Sequence, residues 1–313
     1  MTATNAATVS VVTPSFNQGA YIADTIESVL DQEGVRVEYL VVDGGSTDAT
    51  LEVLRRYGDR VRWISEPDRG QTEAINKGWR RTTGEVIAWL NTDDVYLPGA
   101  LRRVVEVFAS RPDVDAIYGD CDYVDAQGRV LGPYPTRPYD YVALVRDARN
   151  FIPQPAAFLR RRLLDRVGPL DETLHYVMDF DYWLRAGLHH TIAYLPVRLA
   201  ATRLHARAKS VTSGAAFGQE LVGVYRRLFA RDDLPPHLRA VRHQAMGNVY
   251  YLAATRSFWE GAPRDARQYV AAAWPYASGS RRRSLALLWG LGTLGRAGVV
   301  GARVVRSALS RAP

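Results

Sequence analysis

The sequence predicts an α/β fold: a mostly parallel sheet flanked by helices, with a C-terminal helical extension. Three observations carry this. Short β-branched runs alternate with helical spacing from Val9 to Ser110, the order that yields parallel strands covered on both faces. Polar clusters close three of those runs. After Thr212 the chain turns helical and rich in alanine and arginine, which places a domain boundary near Ser213. Residues 1–212 are expected as the α/β domain and 213–313 as the extension.

Val9-Ser10-Val11-Val12-Thr13, stopped by Pro14, reads as a first buried strand. Ile22, Ile26, Val29 and Leu30 give helical spacing from Tyr21 to Gln32. Tyr39-Leu40-Val41-Val42 is a second strand, ended by Asp43-Gly44-Gly45. Ser46-Thr47-Asp48 supplies caps for a helix through Leu54. Val61 to Ser65 is a third strand, Thr72 to Arg81 a helix, Val86 to Leu90 a fourth strand and Pro98 to Ser110 another helix. Ala116 to Val124 and Val130 to Tyr134 read as strands around a turn at Asp125-Ala126-Gln127-Gly128. Pro133, Pro135 and Pro138 mark a loop, and Phe158 to Val167 and Asp179 to Gly187 read as helices. There is no internal repeat.

A chain of 313 residues, 47% hydrophobic and 23% charged, can bury a sizeable core. Its one cysteine, Cys121, cannot form an internal disulfide, and the residues before Val9 lack the basic-then-apolar order of a secretory signal. A reducing, cytoplasmic setting is expected. The net charge of +7 and pI of 9.6 suit anionic partners. Basic residues are not spread as on a nucleic-acid binder: seven arginines and no acid lie between Arg281 and Pro313, whereas aspartates crowd 93–125. Nucleic acid is not an expected partner.

Ligands of open parallel sheets bind beyond the carboxyl ends of strands. Thr13-Pro14-Ser15-Phe16-Asn17, Asp43-Gly44-Gly45-Ser46 and Asn91-Thr92-Asp93-Asp94 all fall there. Adjacent carboxylates Asp93 and Asp94 repel unless a cation or donor intervenes, so a divalent ion with hard oxygen ligands fits; helix capping before Pro98 is the plain alternative. Asp43 can accept from a base or a ribose hydroxyl, or can simply hold its turn, and the glycines beside it allow close backbone approach. Asp179 and Asp181, among Tyr176, Phe180, Tyr182 and Trp183, suit a general base or a helix start. A lone histidine such as His205 is more often structural than a ligand. No G-x-G-x-x-G follows the first strand and no Walker A sequence occurs, which excludes the common dinucleotide and P-loop sites.

Taken in order, Thr13-Pro14-Ser15-Phe16-Asn17, Glu27-Ser28-Val29, Val42-Asp43-Gly44-Gly45-Ser46-Thr47-Asp48, Glu66-Pro67-Asp68-Arg69-Gly70-Gln71, Ala74-Ile75-Asn76-Lys77-Gly78, Gly84-Glu85, Trp89-Leu90-Asn91-Thr92-Asp93-Asp94 and Met178-Asp179-Phe180-Asp181-Tyr182-Trp183-Leu184-Arg185 resemble family 2 glycosyltransferases of the GT-A fold. The likeness covers about the first 210 residues; the last hundred carry none. It implies that Thr13, Pro14, Ser15 and Asn17 line the nucleotide, that Asp43 with Gly44 meets the base, and that Arg69 and Asn76 belong to the donor site. It implies Asp93 near the ribose or donor sugar, Asp94 on a Mn²⁺ or Mg²⁺ ion, His205 completing the metal or pyrophosphate site as in some relatives, and Asp179 as catalytic base. The metal motif reads Asn91-Thr92-Asp93-Asp94 in place of Asp-x-Asp. Met178-Asp179 stands in place of Glu-Asp, which leaves Asp181 as a competing base.

The resemblance implies inverting transfer from a nucleotide-diphosphate sugar to a saccharide or lipid-linked saccharide, in cell-surface polysaccharide or glycolipid assembly. A sugar nucleotidyltransferase would want a glycine-rich, basic phosphate loop that Thr13 to Ala20 lacks, and a non-catalytic basic nucleotide-binding module would leave Asp93, Asp94 and Asp179 without a role. In the tail, Leu285 to Gly292 is apolar, preceded by Arg281-Arg282-Arg283 and followed by Arg296, Arg303, Arg306 and Arg311. A spanning helix needs about 20 apolar residues. The pattern suits a helix lying in the interface on the inner face of the cell membrane, and equally one packed on the catalytic domain or on a second subunit of a homo-oligomer.

Overall fold

The structure is a computed structural model that describes residues 7–205 and 214–293. Within them, 7–139 and 150–205 gather into one compact unit, and 140–149 with 214–293 into a second. The boundary expected at 212/213 lies outside the described residues. The second unit also takes a segment from inside the α/β sequence.

The first unit holds nine strands in one sheet: β1 (Thr8–Ser15), β2 (Arg36–Asp43), β3 (Arg62–Ser65), β4 (Val86–Trp89), β5 (Val95–Tyr96), β6 (Ala116–Val124), β7 (Val130–Pro133), β8 (Ala157–Arg160) and β9 (Ile192–Arg203). Their order is β3-β2-β1-β4-β8-β6-β9-β5, with β7 on β6. β3-β2-β1-β4 is parallel, as alternating strands and helices require. Beyond β4 the sheet is mixed: β8 runs antiparallel to β4 and to β6, while β9 is parallel to β6. The helices are α1 (Ile22–Leu30), α2 (Thr50–Arg56), α3 (Gln71–Arg80), α4 (Ala100–Ser110), α6 (Arg161–Val167) and α7 (Met178–Gly187), with α5 (Tyr141–Asp147) in the second unit. Amphipathic spacing explains how they pack: α1 buries Ile22, Ile26 and Val29, and α4 buries Leu101, Val104 and Phe108. α3 lies so close to β1 that a Cβ on Gly78 would stand 2.3 Å from Val12 Cγ1.

One expectation needs correction, and two elements had none. Phe158–Arg160 is strand, not the start of a helix: Leu159 pairs with Ile87 on one side and Ala116 on the other, and the helix begins at Arg161. Satisfying two ladders outweighs the helical spacing of the following leucines. β9 has no counterpart in the sequence reading because Pro196 interrupts it. The register against β6 slips there, from Leu195 opposite Gly119 to Arg198 opposite Asp120, so a bulge absorbs the missing donor. α5 was likewise absent from the reading; Asp140 caps it by accepting from Ala143 N–H.

The second unit packs α5, α8 (Gly214–Phe229), α9 (Pro236–Ala240), α10 (Arg242–Trp259), α11 (Pro263–Ala273) and α12 (Gly279–Thr293). α10 is central and buries Ala245, Val249, Ala253, Ala254 and Phe258. Small residues let α8 approach it: a Cβ on Gly218 would lie 2.9 Å from Ala253 Cβ. No described helix is long and apolar enough to cross a membrane.

Candidate active site

Three strand ends meet at the carboxyl edge of the parallel half, and their loops are tied to each other. Thr92 Oγ1 donates to Pro14 O (2.6 Å), Gly44 N–H to Ser15 O (2.8 Å) and Leu90 N–H to Val12 O (2.9 Å). Thr25 of α1 holds the third loop, its hydroxyl within 2.7 Å of Thr92 O and 2.8 Å of Asp94 O. Thr13 is buried against Tyr39 Oη at 3.0 Å. Ser15 Oγ is buried and makes no hydrogen bond. Next to it Phe16 stands 60% exposed, an unusual cost for an aromatic side chain at a strand end. Asn17 adopts φ 52° and links the first loop to the second, donating to Ser46 Oγ and accepting from Thr47 and Asp48 N–H.

Asp43 is fully buried, and its carboxylate accepts from Gly45 N–H, Ser46 N–H, Ser46 Oγ and Ser65 Oγ. In this conformation it has no surface to offer a base. The half-buried carboxylate beside it, over Gly44, is Asp68. A Cβ on Gly44 would lie 2.8 Å from Asp68 Oδ2, so the side chain that residue 44 lacks is replaced in space by one from the next loop. Asp68 Oδ1 accepts from Gly70 N–H (2.8 Å). Half-burial raises its pKa above the ordinary carboxylate value, although Gly70 N–H and Lys77 oppose the rise.

Arg69 is exposed and bound by Glu73 and Glu172. Asn76 is buried, with its amide on Leu170 O, Leu170 N–H and Glu172. Both were expected in the donor site. Asn76 as placed positions the 170–172 segment instead of reaching a ligand.

The Asp93–Asp94 pair sits in the turn between β4 and β5, against Arg203 at the end of β9. Asp94 is buried; it accepts from Asn91 Nδ2 (3.0 Å) and Arg203 N–H (3.2 Å). Burial first, and then the neighbouring Asp93 charge, hold its carboxyl well above the usual range. His205 Nε2 lies 2.9 Å from Asp93 Oδ2, so the histidine meets the pair on its Asp93 side. Arg203, absent from the sequence reading, is buried; it reaches Asp93 O and Asp24 and lies over the Tyr21 ring. Among the described residues no three His, Cys, Asp or Glu side chains form a cation cage.

Asp179 opens α7. Its Oδ2 accepts from Asn150 Nδ2 (2.9 Å) and its Oδ1 from Phe180 N–H (2.8 Å). Asp181 is buried and bonded to Arg185 Nε at 2.8 Å, while Arg185 also reaches Val167 O and Pro169 O. Four residues after Asn150, Gln154 accepts from Asn91 Nδ2 (2.8 Å) and donates to Trp89 O (2.7 Å). Gln71 Nε2 donates to Asn91 Oδ1 (2.6 Å). Segment 150–154 therefore touches Asp179 at one end and, through Asn91, Asp94 at the other. It brings the two carboxylates into one network. No motif marked it; the only sequence signal is the pair of amides, Asn150 and Gln154.

The family model described as glycosyl transferase family 2 matches residues 10–168. The chain belongs to this family. Among curated relatives, an uncharacterized glycosyltransferase of Nostoc sp. is 27% identical over 307 residues, spanning 88% of this chain and 91% of that one. Among solved structures, S. aureus TarS 1–349 in complex with UDP-GlcNAc aligns at TM-score 0.66 and 17% identity, covering 94% of this chain and 88% of that one. The chain spans 53% of the longer TarS structure. The mannosyltransferase PcManGT from Pyrobaculum calidifontis, in complex with GDP-Man and Mn²⁺, aligns at TM-score 0.60 and 20% identity, covering 96% and 87%. At these identities the structures show the fold: the first unit of this glycosyltransferase is GT-A.

Proposed function

We propose that the chain catalyses inverting transfer of a sugar from a nucleotide-diphosphate sugar to a hydroxyl acceptor, with Asp179 as general base. The observation that carries this reading is segment 150–154, which joins the Asp179 and Asp94 networks. The neighbours bound to UDP-GlcNAc and to GDP-Man support the class of donor. The acceptor oxygen bonds to the anomeric carbon while the bond from that carbon to the diphosphate breaks on the opposite face. The acceptor proton passes to Asp179, and the electron pair leaves with the nucleoside diphosphate. Asn150 fixes the Asp179 carboxylate for that transfer. Asp181, engaged by Arg185, serves the helix.

Asp93 and Asp94, with His205 against Asp93, fit a Mn²⁺ or Mg²⁺ ion that takes its remaining ligands from phosphates. Such ions use one or two protein carboxylates in place of a closed cage. Asp94, raised by burial and by Asp93, is the kind of carboxyl that a cation would stabilise as the anion. When bound, the ion offsets charge growing on the diphosphate.

For the base, Phe16 offers a ring to stack on, and the half-buried Asp68 offers a polar contact. A carboxylate accepts from the imino N–H of uracil, thymine or guanine; the pairing edges of adenine and cytosine present a bare ring nitrogen there. Thr13 and Pro14, on the same strand end as Ser15, line the nucleotide in this reading. The acceptor is a saccharide or lipid-linked saccharide of cell-surface polysaccharide or glycolipid assembly, met on the cytoplasmic side.

Melting curves with UDP, dTDP, GDP, CDP and ADP in the presence of Mn²⁺ test the donor reading. A ligand at a hundred times its Kd adds about 2.7 kcal/mol of apparent stability. Stabilisation by one of the first three, lost in Asp68→Ala, is expected; equal response to all five, or to none, would overturn it.

A further inference from the structure

We infer that the exposed face of α12, together with Trp274, docks on an anionic lipid bilayer. Six large hydrophobic side chains are exposed among the described residues, and three of them, Trp274, Leu287 and Trp289, belong to this corner of the second unit. α12 buries Leu285, Leu288 and Gly292 along one side. At 100° per residue the exposed residues Arg282, Arg283, Ala286, Leu287, Trp289 and Gly290 span an arc of about 160°, with Trp289 at the edge beside the buried stripe, Leu287 at the other edge, and Ala286, Gly290 and Arg283 between. A helix face that meets only water is normally polar and carries both signs of charge. This one has apolar groups and arginines and no acid.

The charges choose the occupant. Residues 261–293 hold five arginines (264, 267, 281, 282 and 283) against Asp265 alone, a net +4. Both tryptophans carry a guanidinium on the ring: Arg267 lies 4.7 Å from the Trp289 centroid and Arg282 5.7 Å from that of Trp274. An indole beside a guanidinium is amphipathic in the way the headgroup boundary demands, the ring among acyl-chain ends and the cation on phosphates. A second copy fits poorly. A twofold contact through this face would bring both copies' Arg282 and Arg283 into one interface with no carboxylate on the face to pair them. Arg281 is half-buried and anchored on Asn248 Oδ1 and the Tyr251 ring, so it is not counted on this face. The helix lies on the bilayer and does not cross it.

The inference uses no feature of the transfer site, so the two stand or fall separately. The full chain is floated with vesicles of phosphatidylcholine alone and of phosphatidylcholine mixed equally with phosphatidylglycerol. It is expected to rise only with the mixed vesicles, and less as salt is added. Leu287→Ser with Trp289→Ser should lower recovery more than about fivefold. Arg282→Glu with Arg283→Glu should lower it more than about tenfold. Both should leave the melting temperature and the light-scattering mass unchanged. If the double serine variant melts early, the arginine reversal, made on exposed side chains, carries the test. Absence of flotation, equal recovery with both vesicles, or full recovery of the charge-reversal variant would overturn the inference. So would a change of oligomer mass in these variants with flotation intact, which would make the face a contact between copies.

Discussion

Replacing Asp179 and Asp181 one at a time by asparagine should separate chemistry from stability. Asp179→Asn removes the proton acceptor. A general base contributes about 10²–10⁴ in rate, so kcat should fall by that factor, or about 3–5 kcal/mol in the barrier. The fold should barely respond. Asn150 Nδ2 and Phe180 N–H both donate to the carboxylate, and one of them would face an NH₂ group at a cost of about 1 kcal/mol. Asp181→Asn acts differently. Its side chain is 7% exposed and bound at 2.8 Å to Arg185, which is 28% exposed. Breaking a fully buried pair costs about 3–5 kcal/mol. Arg185 keeps Val167 O and Pro169 O and some water, so the loss here should be about 1–2 kcal/mol, with kcat within a few-fold of normal. Initial rates, donor titration by calorimetry and urea melts measure all three quantities. If Asp181→Asn loses turnover while Asp179→Asn keeps it, the base is misassigned.

Three further outcomes follow from the same contacts. Asp94→Asn should abolish transfer and metal-dependent nucleotide binding, as EDTA should, while the melting temperature holds or rises because the Asp93–Asp94 repulsion is gone. Gly78→Ala should destabilise the first unit by about 3 kcal/mol in a urea melt, since its Cβ would overlap the rigid Val12 side chain. Glu38 titrates below the ordinary glutamate value: burial alone would raise it, but hydrogen bonds from Thr83 and Gly84 N–H and Ser10 Oγ, with Arg62, outweigh burial. A depressed carboxylate stabilises the fold above its unfolded pKa and loses that contribution as pH falls. Glu38→Gln should therefore cost about 1 kcal/mol at pH 7, and the gap should close below about pH 4.

Much of the parallel half was legible because the strands from Val9 to Leu90 are β-branched runs with polar ends, and period-two and period-3.6 signals do not overlap there. The mixed half was not. Phe158–Arg160 runs straight into a helix, and only its two ladder partners, seventy and forty residues earlier in the chain, decide its state. Pro196 hid β9, since a bulge that tolerates proline is set by the register with β6. The site divides likewise. Which loops meet was readable from the fold rule for strand ends. Which polar groups remain available was not, because their partners come from afar: Ser65 on Asp43, and Leu170 and Glu172 on Asn76. Asp181 is the exception; Arg185 stands four residues on, a spacing that signals a helix ion pair. Asp68 could be found only from the space above Gly44, which its carboxylate fills.

The central claim is glycosyl transfer driven by Asp179 in a site shared with Asp94. Its most direct measurement is the nucleotide product formed when the full chain, with Mn²⁺ and a saccharide or lipid-linked saccharide acceptor pool, is given UDP-, dTDP- and GDP-sugars in turn. The account predicts release of nucleoside diphosphate from one of them, dependent on acceptor and absent in Asp179→Asn. Pyrophosphate as the product, or diphosphate release undiminished in Asp179→Asn, would contradict it.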